Sequence, residues 1–386
     1  MAAYHQRWIF VIGRRWHLAA LILITILFPQ KSLTSPAQPQ ILSGINYLYN
    51  YQFDEALAAL DSVRFIDPDH PVQPFVRLAV RWLKAQTETG YEQSYLVIEK
   101  EVETLVPWYN ARMEMYPNDP EYPLYLGSAY GMKARIALAR RDWLGVVVSG
   151  YRGYRYVNLA SIIDPDLPDI MMPVGLMEYY TGKMPGSIRW LAELFGINAD
   201  TRSGLDKLEM AASSSYYSWI ESSNVLVYAY LYMEKDFTRA LKWVTPLTET
   251  FPKNPMFKLL EAEIWAKSGN WLAVDNVLPE LVKISQNESP LLKNECEIKT
   301  LHILALKAYD KKNYQQVITL TTNIIENYQM EFDWLLGFAY LLRGKATELS
   351  GDRATAIIDY KKTASMDNKY PEVKEARKLI SIPFTG

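Results

Sequence analysis

The chain has 386 residues, of which 49% are hydrophobic and 22% charged, which excludes an intrinsically disordered protein and allows a large buried core. Its formal net charge is −2, and the first 37 residues carry four basic and no acidic side chains, so the remainder is mildly acidic. A mildly acidic protein is a poor nucleic-acid binder, and we expect no nucleic-acid partner. The single cysteine, Cys296, excludes an intramolecular disulfide.

The N-terminal segment 1–37 has the composition of a secretory signal. Three arginines precede an apolar run at 18–28, which is shorter than the ~20 residues of a membrane span. Ser35 and Ala37 supply small residues for cleavage after Ala37. We therefore expect a signal peptide and export to the periplasm, the envelope or the extracellular space. An uncleaved N-terminal anchor stays open, because apolar residues at 8–12 can extend the run backwards.

One short pattern recurs along the rest of the chain. A polar turn and an aromatic residue are followed three positions later by a small or short apolar residue, as two antiparallel helices require where they meet. Four copies carry the aromatic and a fifth has arginine in its place: Gln52-Phe53, Asp236-Phe237, Asn270-Trp271, Asn313-Tyr314 and Asp352-Arg353.

The pattern resembles the tetratricopeptide repeat (TPR) family. With the turn aromatic at position 17 of a ~34-residue unit, repeats fall near 37–70, 221–254, 255–288, 298–331 and 337–369. The resemblance implies an all-α fold, a right-handed solenoid of helical hairpins. We divide the chain into an N-terminal TPR-like region at 38–220, a C-terminal TPR array at 221–370, and a capping helix with a tail at 371–386.

Three parts of the N-terminal region depart from the repeat, and the first two are long helices. Segment 118–166 matches it at Leu126, Gly127 and Tyr130, but Trp143 comes seven residues late, which predicts an elongated central hairpin whose helices are each about two turns longer. We expect Gly150 and Gly153 to let a second helix cross closely. Residues 72–116 are predicted to form long helices broken near Gly90.

The irregular insert at 167–216 is predicted to contain a short amphipathic lid helix. A helix at 169–180 breaks at 182–186, a lid follows at 187–195, and 204–211 resembles the second helix of a degenerate repeat. The apolar face of the lid is expected to pack within the protein against the aromatic residues at 151–156. The candidate lid residues are Ile188, Trp190, Leu191, Leu194 and Phe195.

No arrangement of residues predicts catalysis. His70 and His302 are the only histidines beyond the signal, and neither has cysteines or acids at metal-ligand spacing. Nucleophile elbows and phosphate loops are missing from the sequence. We therefore expect a protein that is not an enzyme, with no catalytic residue, metal or cofactor. His302 is expected to be a partly exposed residue of the repeat groove.

The family resemblance also implies a concave groove, lined by positions 2, 5, 9, 12 and 13 of each repeat. The lysine and asparagine pattern that clamps a C-terminal carboxylate is absent from the first repeat, and the groove is apolar and aromatic, which suits an amphipathic helix. Tyrosines and arginines at 151–156 form a second candidate recognition surface. The candidate partner-binding residues are Ile41, Ile45, Tyr49, Tyr151, Tyr154, Arg155, Val225, Tyr232, Met233, Leu259, His302 and Tyr309.

The function these patterns favour is a non-catalytic scaffold outside the cytoplasm, which docks a protein or peptide segment during envelope assembly or secretion. One alternative is a solute-binding protein with an aromatic pocket under residues 184–196. Another is a peripheral membrane protein that uses Trp190, Leu194 and Phe195 at a lipid surface.

Overall fold

The computed structural model describes residues 35–184, 186–286, 288–366 and 370–386, without the side chains of residues 143, 187, 188 and 191. The predicted signal at 1–37 therefore lies almost entirely outside the described residues. The chain forms two compact units, one of which runs up to Val227 and includes Glu249–Asn254, while the other comprises Tyr228–Thr248 and Pro255–Gly386. The division falls inside one helix, a few residues after the predicted boundary at 220.

The first unit consists of consecutive helices that pack as antiparallel pairs. The pairs are α1 with α2, α3 with α4, α5 with α6, and α7 with α9. A 3₁₀ turn at Pro168–Ile170 precedes α7. The helices are α1 Gln38–Tyr49, α2 Phe53–Ile66, α3 Val72–Thr89, α4 Tyr91–Met115, α5 Glu121–Ala139, α6 Trp143–Ile163, α7 Met171–Gly182, α8 Gly186–Leu194, α9 Thr201–Ser214 and α10 Trp219–Tyr228.

The second unit continues the hairpins. A π-helical turn at Ala229–Glu234 extends α10 into this unit. The last helix, α18, buries Val373, Ala376 and Leu379 and exposes basic residues on its other side. The further helices are α11 Phe237–Thr250, α12 Pro255–Lys267, α13 Trp271–Ser285, α14 Pro290–Asp310, α15 Tyr314–Glu326, α16 Trp334–Leu349, α17 Arg353–Ala364 and α18 Pro371–Leu379.

The recurring turns have one local geometry, which explains the sequence pattern. A residue with positive φ ends the first helix, as at Lys235 (58°), Gly269 (76°) and Gly351 (97°). Except at Gln52, whose side chain makes no cap, the next residue is aspartate or asparagine, and its side chain accepts a hydrogen bond from the backbone N–H three positions later. This cap recurs at Asp142, Asp236, Asn270, Asn313 and Asp352.

The elongated hairpin is confirmed. Helices α5 and α6 have 19 and 21 residues, against 13 and 15 in α12 and α13. They cross closely at Gly153, where an added Cβ would lie 2.9 Å from the carbonyl oxygen of Gly127. The prediction for Gly150 is wrong, since a Cβ there would meet nothing within 4 Å. Helices that cross at an angle are close only near the crossing point.

The insert at 167–216 forms a hairpin interrupted by the lid. Helices α7 and α9 cross at two facing glycines, since a Cβ on Gly175 would lie 2.8 Å from the Gly204 carbonyl oxygen. On the same pair, Glu178 accepts hydrogen bonds from Ser203 and Lys207, both at 2.7 Å. Helix α8 therefore lies in the connection between two packed helices, as the sequence indicated for 187–195.

Across the described residues, the helices are too short or too polar to cross a membrane. The same part of the chain contains no cluster of histidine, cysteine, aspartate or glutamate able to hold a metal ion. His70 is buried, and its Nδ1 accepts a hydrogen bond from the Val72 N–H at 3.2 Å.

A buried carboxyl in the first unit should make its stability depend on pH. Tyr49 donates to Glu221 Oε1 at 2.5 Å, and burial raises the Glu221 pKa from 4.5 to about 8. The folded protein therefore keeps a proton that the unfolded chain releases, so stability is lost as pH rises towards the folded pKa.

We expect the free energy of unfolding to fall by at least ~1 kcal/mol between pH 6.5 and 8. Glu221→Gln, which keeps an oxygen acceptor for Tyr49 without titrating, should reduce that fall. Chemical denaturation of both proteins across this range measures it. Equal slopes for the two proteins would contradict the assignment to Glu221.

Candidate functional site

The candidate site is a cleft of about 400 Å³ in the second unit. Its walls come from three consecutive first helices of hairpins, α12, α14 and α16, and its edge from Lys235 and α18. Successive repeats place these helices side by side, so equivalent positions line one surface. The residues that determine its chemistry are Lys267, His302, Leu306, Tyr309, Phe338 and Glu372.

A buried ion pair lies at the base of this cleft. Lys267 Nζ is 3.2 Å from Glu263 Oε1, one helical turn away on α12. Tyr232 donates to the other carboxylate oxygen, Oε2, at 2.6 Å. Burial alone would raise the Glu263 pKa, but the charge of Lys267, that of His302 when it is protonated at acidic pH, and these contacts outweigh it, so the pKa is lowered. The carboxylate is therefore ionised at neutral pH.

Aromatic rings complete the environment of the ammonium group. Lys267 Nζ lies 4.5 Å from the centroid of the Tyr232 ring and 4.9 Å from that of Phe338. A cation over ring faces is stabilised by their quadrupoles, most strongly when water is excluded. Trp334 and Tyr370 extend the cluster, with ring centroids 5.5 Å from Phe338 in each case.

His302 is the unusual residue of the cleft. Only 3% of it is exposed, and neither ring nitrogen has a hydrogen-bond partner in the described part of the chain. Burial lowers its pKa to about 4, against the opposing influence of Glu263, so the imidazole is neutral at physiological pH. A neutral imidazole offers one N–H donor and one nitrogen acceptor. Buried polar groups are rarely left unsatisfied, so this residue requires an explanation.

Ion pairs close the edge of the cleft. Lys235 pairs with Glu372 and Lys345 with Glu375, each at 2.5 Å. Trp271 donates its indole N–H to Asp310 at 2.7 Å. With Lys267 paired to Glu263, the three lysines of the cleft each have a carboxylate partner, and no excess of positive charge faces the cavity.

Two of the predicted groove residues line this cleft, His302 and Tyr309. Tyr232 is buried and contacts its base through Lys267 and Glu263. His302 is buried rather than partly exposed, because the Phe338 ring lies 6.2 Å away on the next hairpin. Leu259 is buried in the core, and Met233 is half-buried.

The groove residues predicted in the first unit are core residues, so the structure corrects their assignment. Ile41, Ile45, Tyr49 and Val225 are all buried. The face of α1 that carries Tyr49 is covered, since its ring packs on Phe251 at 5.1 Å and its backbone oxygen accepts from Asn254 at 2.8 Å. Side chains covered in this way cannot present themselves to a partner.

The predicted recognition residues on α6 lie beside the lid helix, α8, and do not line the cleft at His302. Tyr151 and Arg155 are exposed, and Tyr154 donates to the Gly196 carbonyl oxygen at 2.6 Å. Of the lid residues, Phe195 packs on Tyr151 with ring centroids 4.9 Å apart. Trp190 and Leu194 are 62% and 61% exposed, so the expected packing of this face within the protein does not extend to them. The side chains of Ile188 and Leu191 lie outside the described residues.

An open recess of about 410 Å³ also lies in the first unit, along α9. It is lined by residues such as Met171, Asp206 and Met210 rather than by the aromatic residues at 151–156. The recess therefore differs in position from the aromatic pocket expected under 184–196.

Several residues of the cleft were missed by the sequence prediction. Position 13 of the unit at 255–288 is Lys267, and positions 2, 5 and 9 of the unit at 337–369 are Phe338, Leu341 and Lys345. All four line the cleft. The groove positions of the repeats at 255–288 and 337–369 therefore carry the signal for these cleft residues.

Comparison with known proteins gives similarity of fold alone. No protein-family model and no curated protein matches the chain. Among solved structures, it is similar to the human IFIT1 dimer with m7Gppp-AAAA, at 13% identity, a TM-score of 0.46, and coverage of 89% of this chain and 85% of that one. Yeast Tom70 is 10% identical, with a TM-score of 0.37 and coverage of 89% of this chain and 81% of that one. The TPR domain of P58(IPK) is 14% identical, with a TM-score of 0.26 and coverage of 89% of this chain and 97% of that one. The chain itself, with its repeated hairpins and capped turns, is an all-α protein of tetratricopeptide-like repeats.

Proposed function

We propose that the protein is a non-catalytic scaffold whose cleft at His302 docks a segment of another protein. The observation that supports this most directly is a buried imidazole with two unsatisfied nitrogens in a cleft that is lined by apolar and aromatic side chains and by paired charges. Both nitrogens are covered in the unbound protein, so a docked segment would first have to displace the side chains over them. A peptide amide, from the backbone or from asparagine or glutamine, both donates and accepts hydrogen bonds and would then satisfy them. Apolar side chains of an amphipathic helix would fill the space beside Leu306 and Phe338.

The charges of the cleft favour a protein segment over a nucleic acid. Phosphate recognition requires lysines or arginines available to neutralise phosphates. Here Lys235, Lys267 and Lys345 already face carboxylates. A polyanion would have to break these pairs, whereas a peptide leaves them in place.

We further propose that the protein acts outside the cytoplasm, in envelope assembly or secretion. This part rests on the signal-like sequence at 1–37. Mass spectrometry of the native protein should give an N-terminal peptide that begins at or near Gln38. Recovery of residues 1–37 on the native chain would show an anchor in place of a cleaved signal.

Site-specific photocrosslinking tests the docking proposal in the cells that make the protein. A photoreactive residue at Leu306, in the cleft, should give a discrete crosslinked partner. The same residue at Ile358, which is exposed on α17 and does not line the cleft, should not. Equal crosslinking from both positions would contradict docking in the cleft.

A substitution at His302 separates recognition from folding. His302→Leu removes two unsatisfied buried nitrogens and leaves an apolar side chain of similar size, so stability should be unchanged or higher. The crosslink from Leu306 should nevertheless weaken by roughly tenfold or more, because a hydrogen-bonded pair is lost from the complex. Undiminished crosslinking in this variant would show that the imidazole does not recognise the partner.

A further inference from the structure

A second surface, in the other unit, exposes apolar side chains on two helices. On α6, Leu144, Val147, Val148 and Tyr151 follow the i, i+3, i+4, i+7 spacing of one helical face, and Leu144 is 75% exposed. Trp190 and Leu194 on α8, and Phe195 directly after it, are also exposed. The two helices join where the Tyr151 ring packs on Phe195. These exposed residues are called the α6–α8 surface below.

The charges around this surface are mostly positive. Helix α6 has Arg152 and Arg155, both exposed, and no acidic residue from Trp143 to Ile163. In the described part of the chain, neither arginine is paired with a carboxylate; Arg152 instead lies 5.9 Å from the centroid of the Tyr130 ring. Arg141 and Arg189 are also exposed, and the nearby acids are Asp142, Glu193 and Asp200.

The acids are partly engaged in other contacts. Asp142 caps α6 by accepting from the Gly145 N–H at 3.0 Å, and Asp200 caps α9 by accepting from the N–H groups of Arg202 and Ser203. The charge of Arg189 acts on Asp200. The charges of the surface without such a contact are therefore Glu193 on α8 and the two arginines of α6, next to its exposed apolar face.

From this geometry we infer that the α6–α8 surface lies on an anionic lipid bilayer. Tryptophan and tyrosine are favoured at the membrane interface, where one end of the side chain is apolar and the other is hydrated. Arginine side chains extend their methylene groups along the apolar layer of the bilayer and place their guanidinium groups among the lipid phosphates. Amphipathic helices with basic polar faces and exposed Trp, Leu or Phe bind in this plane without spanning the membrane. The cleft at His302 belongs to the other unit and is independent of this inference.

The test uses a fluorophore at a single position of the α6–α8 surface. Lipid binding through the apolar sequence within residues 1–34 then does not dominate the measured signal. Cys296 is buried, so a thiol-reactive environment-sensitive fluorophore can be directed to a new cysteine at Leu194→Cys, with Ile358→Cys as the matched control. The full-length chain is mixed with vesicles of phosphatidylcholine containing 30% phosphatidylglycerol, or of phosphatidylcholine alone. Emission at position 194 should shift to the blue with the anionic vesicles and much less with the neutral ones. Position 358 should not respond.

Charge reversal then tests the arginines. The double substitution Arg152→Glu with Arg155→Glu should weaken membrane binding, so that the lipid concentration needed for half of the response at position 194 rises by roughly 30-fold or more. Each positive charge removed accounts for about fivefold of this rise. Lys361→Glu with Lys362→Glu, at two exposed positions on α17, changes the net charge equally and should have little effect. Circular dichroism should show equal helicity in both double variants.

Three results would overturn the inference. The first is the absence of any response at position 194 to anionic vesicles. The second is an equal response to neutral and anionic vesicles, since that would leave the arginines without a role. The third is a blue shift that appears without lipid as the protein is concentrated, which would identify a second copy of the chain as the occupant.

Discussion

Replacing Gly204 with alanine should lower the free energy of unfolding by about 2–3 kcal/mol, although alanine is the better helix former. A Cβ at this position would lie 2.4 Å from the backbone nitrogen of Tyr179 and 2.7 Å from the carbonyl oxygen of Gly175. Both obstacles are backbone atoms, so no side-chain rotation can relieve the clash. Helices α7 and α9 would have to separate, and the ion pair between Glu178 and Lys207 would lengthen with them.

The same substitution at Gly150 is the matched control. This glycine is also inside a helix, but an added methyl group would meet nothing within 4 Å. Gly150→Ala should therefore raise stability by ~0.5–1 kcal/mol, through helix propensity alone. Denaturant unfolding of the two variants should give changes of opposite sign. A stabilising effect of Gly204→Ala would show that α7 and α9 do not cross at these glycines.

The hairpins could be predicted because their turns require particular residues. A left-handed residue followed by an aspartate or asparagine cap is a local constraint, so it remains visible in sequence at Asp236, Asn270, Asn313 and Asp352. The length of the helices in the elongated hairpin, α5 and α6, could also be predicted from the sequence, because Trp143 marks where the second helix begins. Gly150 could not be distinguished from Gly153 in this way, since the point at which two helices cross depends on tertiary packing.

The cleft was only partly predictable for a related reason. Repeat positions indicate which side chains face the groove, but they do not show whether another element covers them. Ile41 and Val225 hold groove positions and lie in the core, whereas Lys267 and Phe338 hold other groove positions and line the cleft. The unsatisfied nitrogens of His302 result from long-range packing, and no sequence pattern reports them.

Removing the carboxylate at the base of the cleft should have the largest effect of any single substitution proposed. Glu263→Ala leaves the Lys267 ammonium, whose side chain is only 12% exposed, without its partner, and removes the acceptor of the Tyr232 hydroxyl. An uncompensated buried charge of this kind costs about 3–5 kcal/mol. Thermal unfolding should show a decrease of roughly 6–20 °C in the transition of the second unit, at ~2–4 °C for each kcal/mol in a domain of this size.

A double variant distinguishes the unpaired charge from a simple loss of packing. Glu263→Leu with Lys267→Met replaces both charges by apolar side chains of similar length, and such replacements of a buried pair are often neutral or stabilising. We therefore expect the double variant to be more stable than Glu263→Ala by about 2 kcal/mol or more, despite carrying one more substitution. If the double variant is instead the less stable, the aromatic rings of Tyr232 and Phe338 depend on the ammonium group itself. In that case the cation–π contacts, and not the ion pair, hold the base of the cleft together.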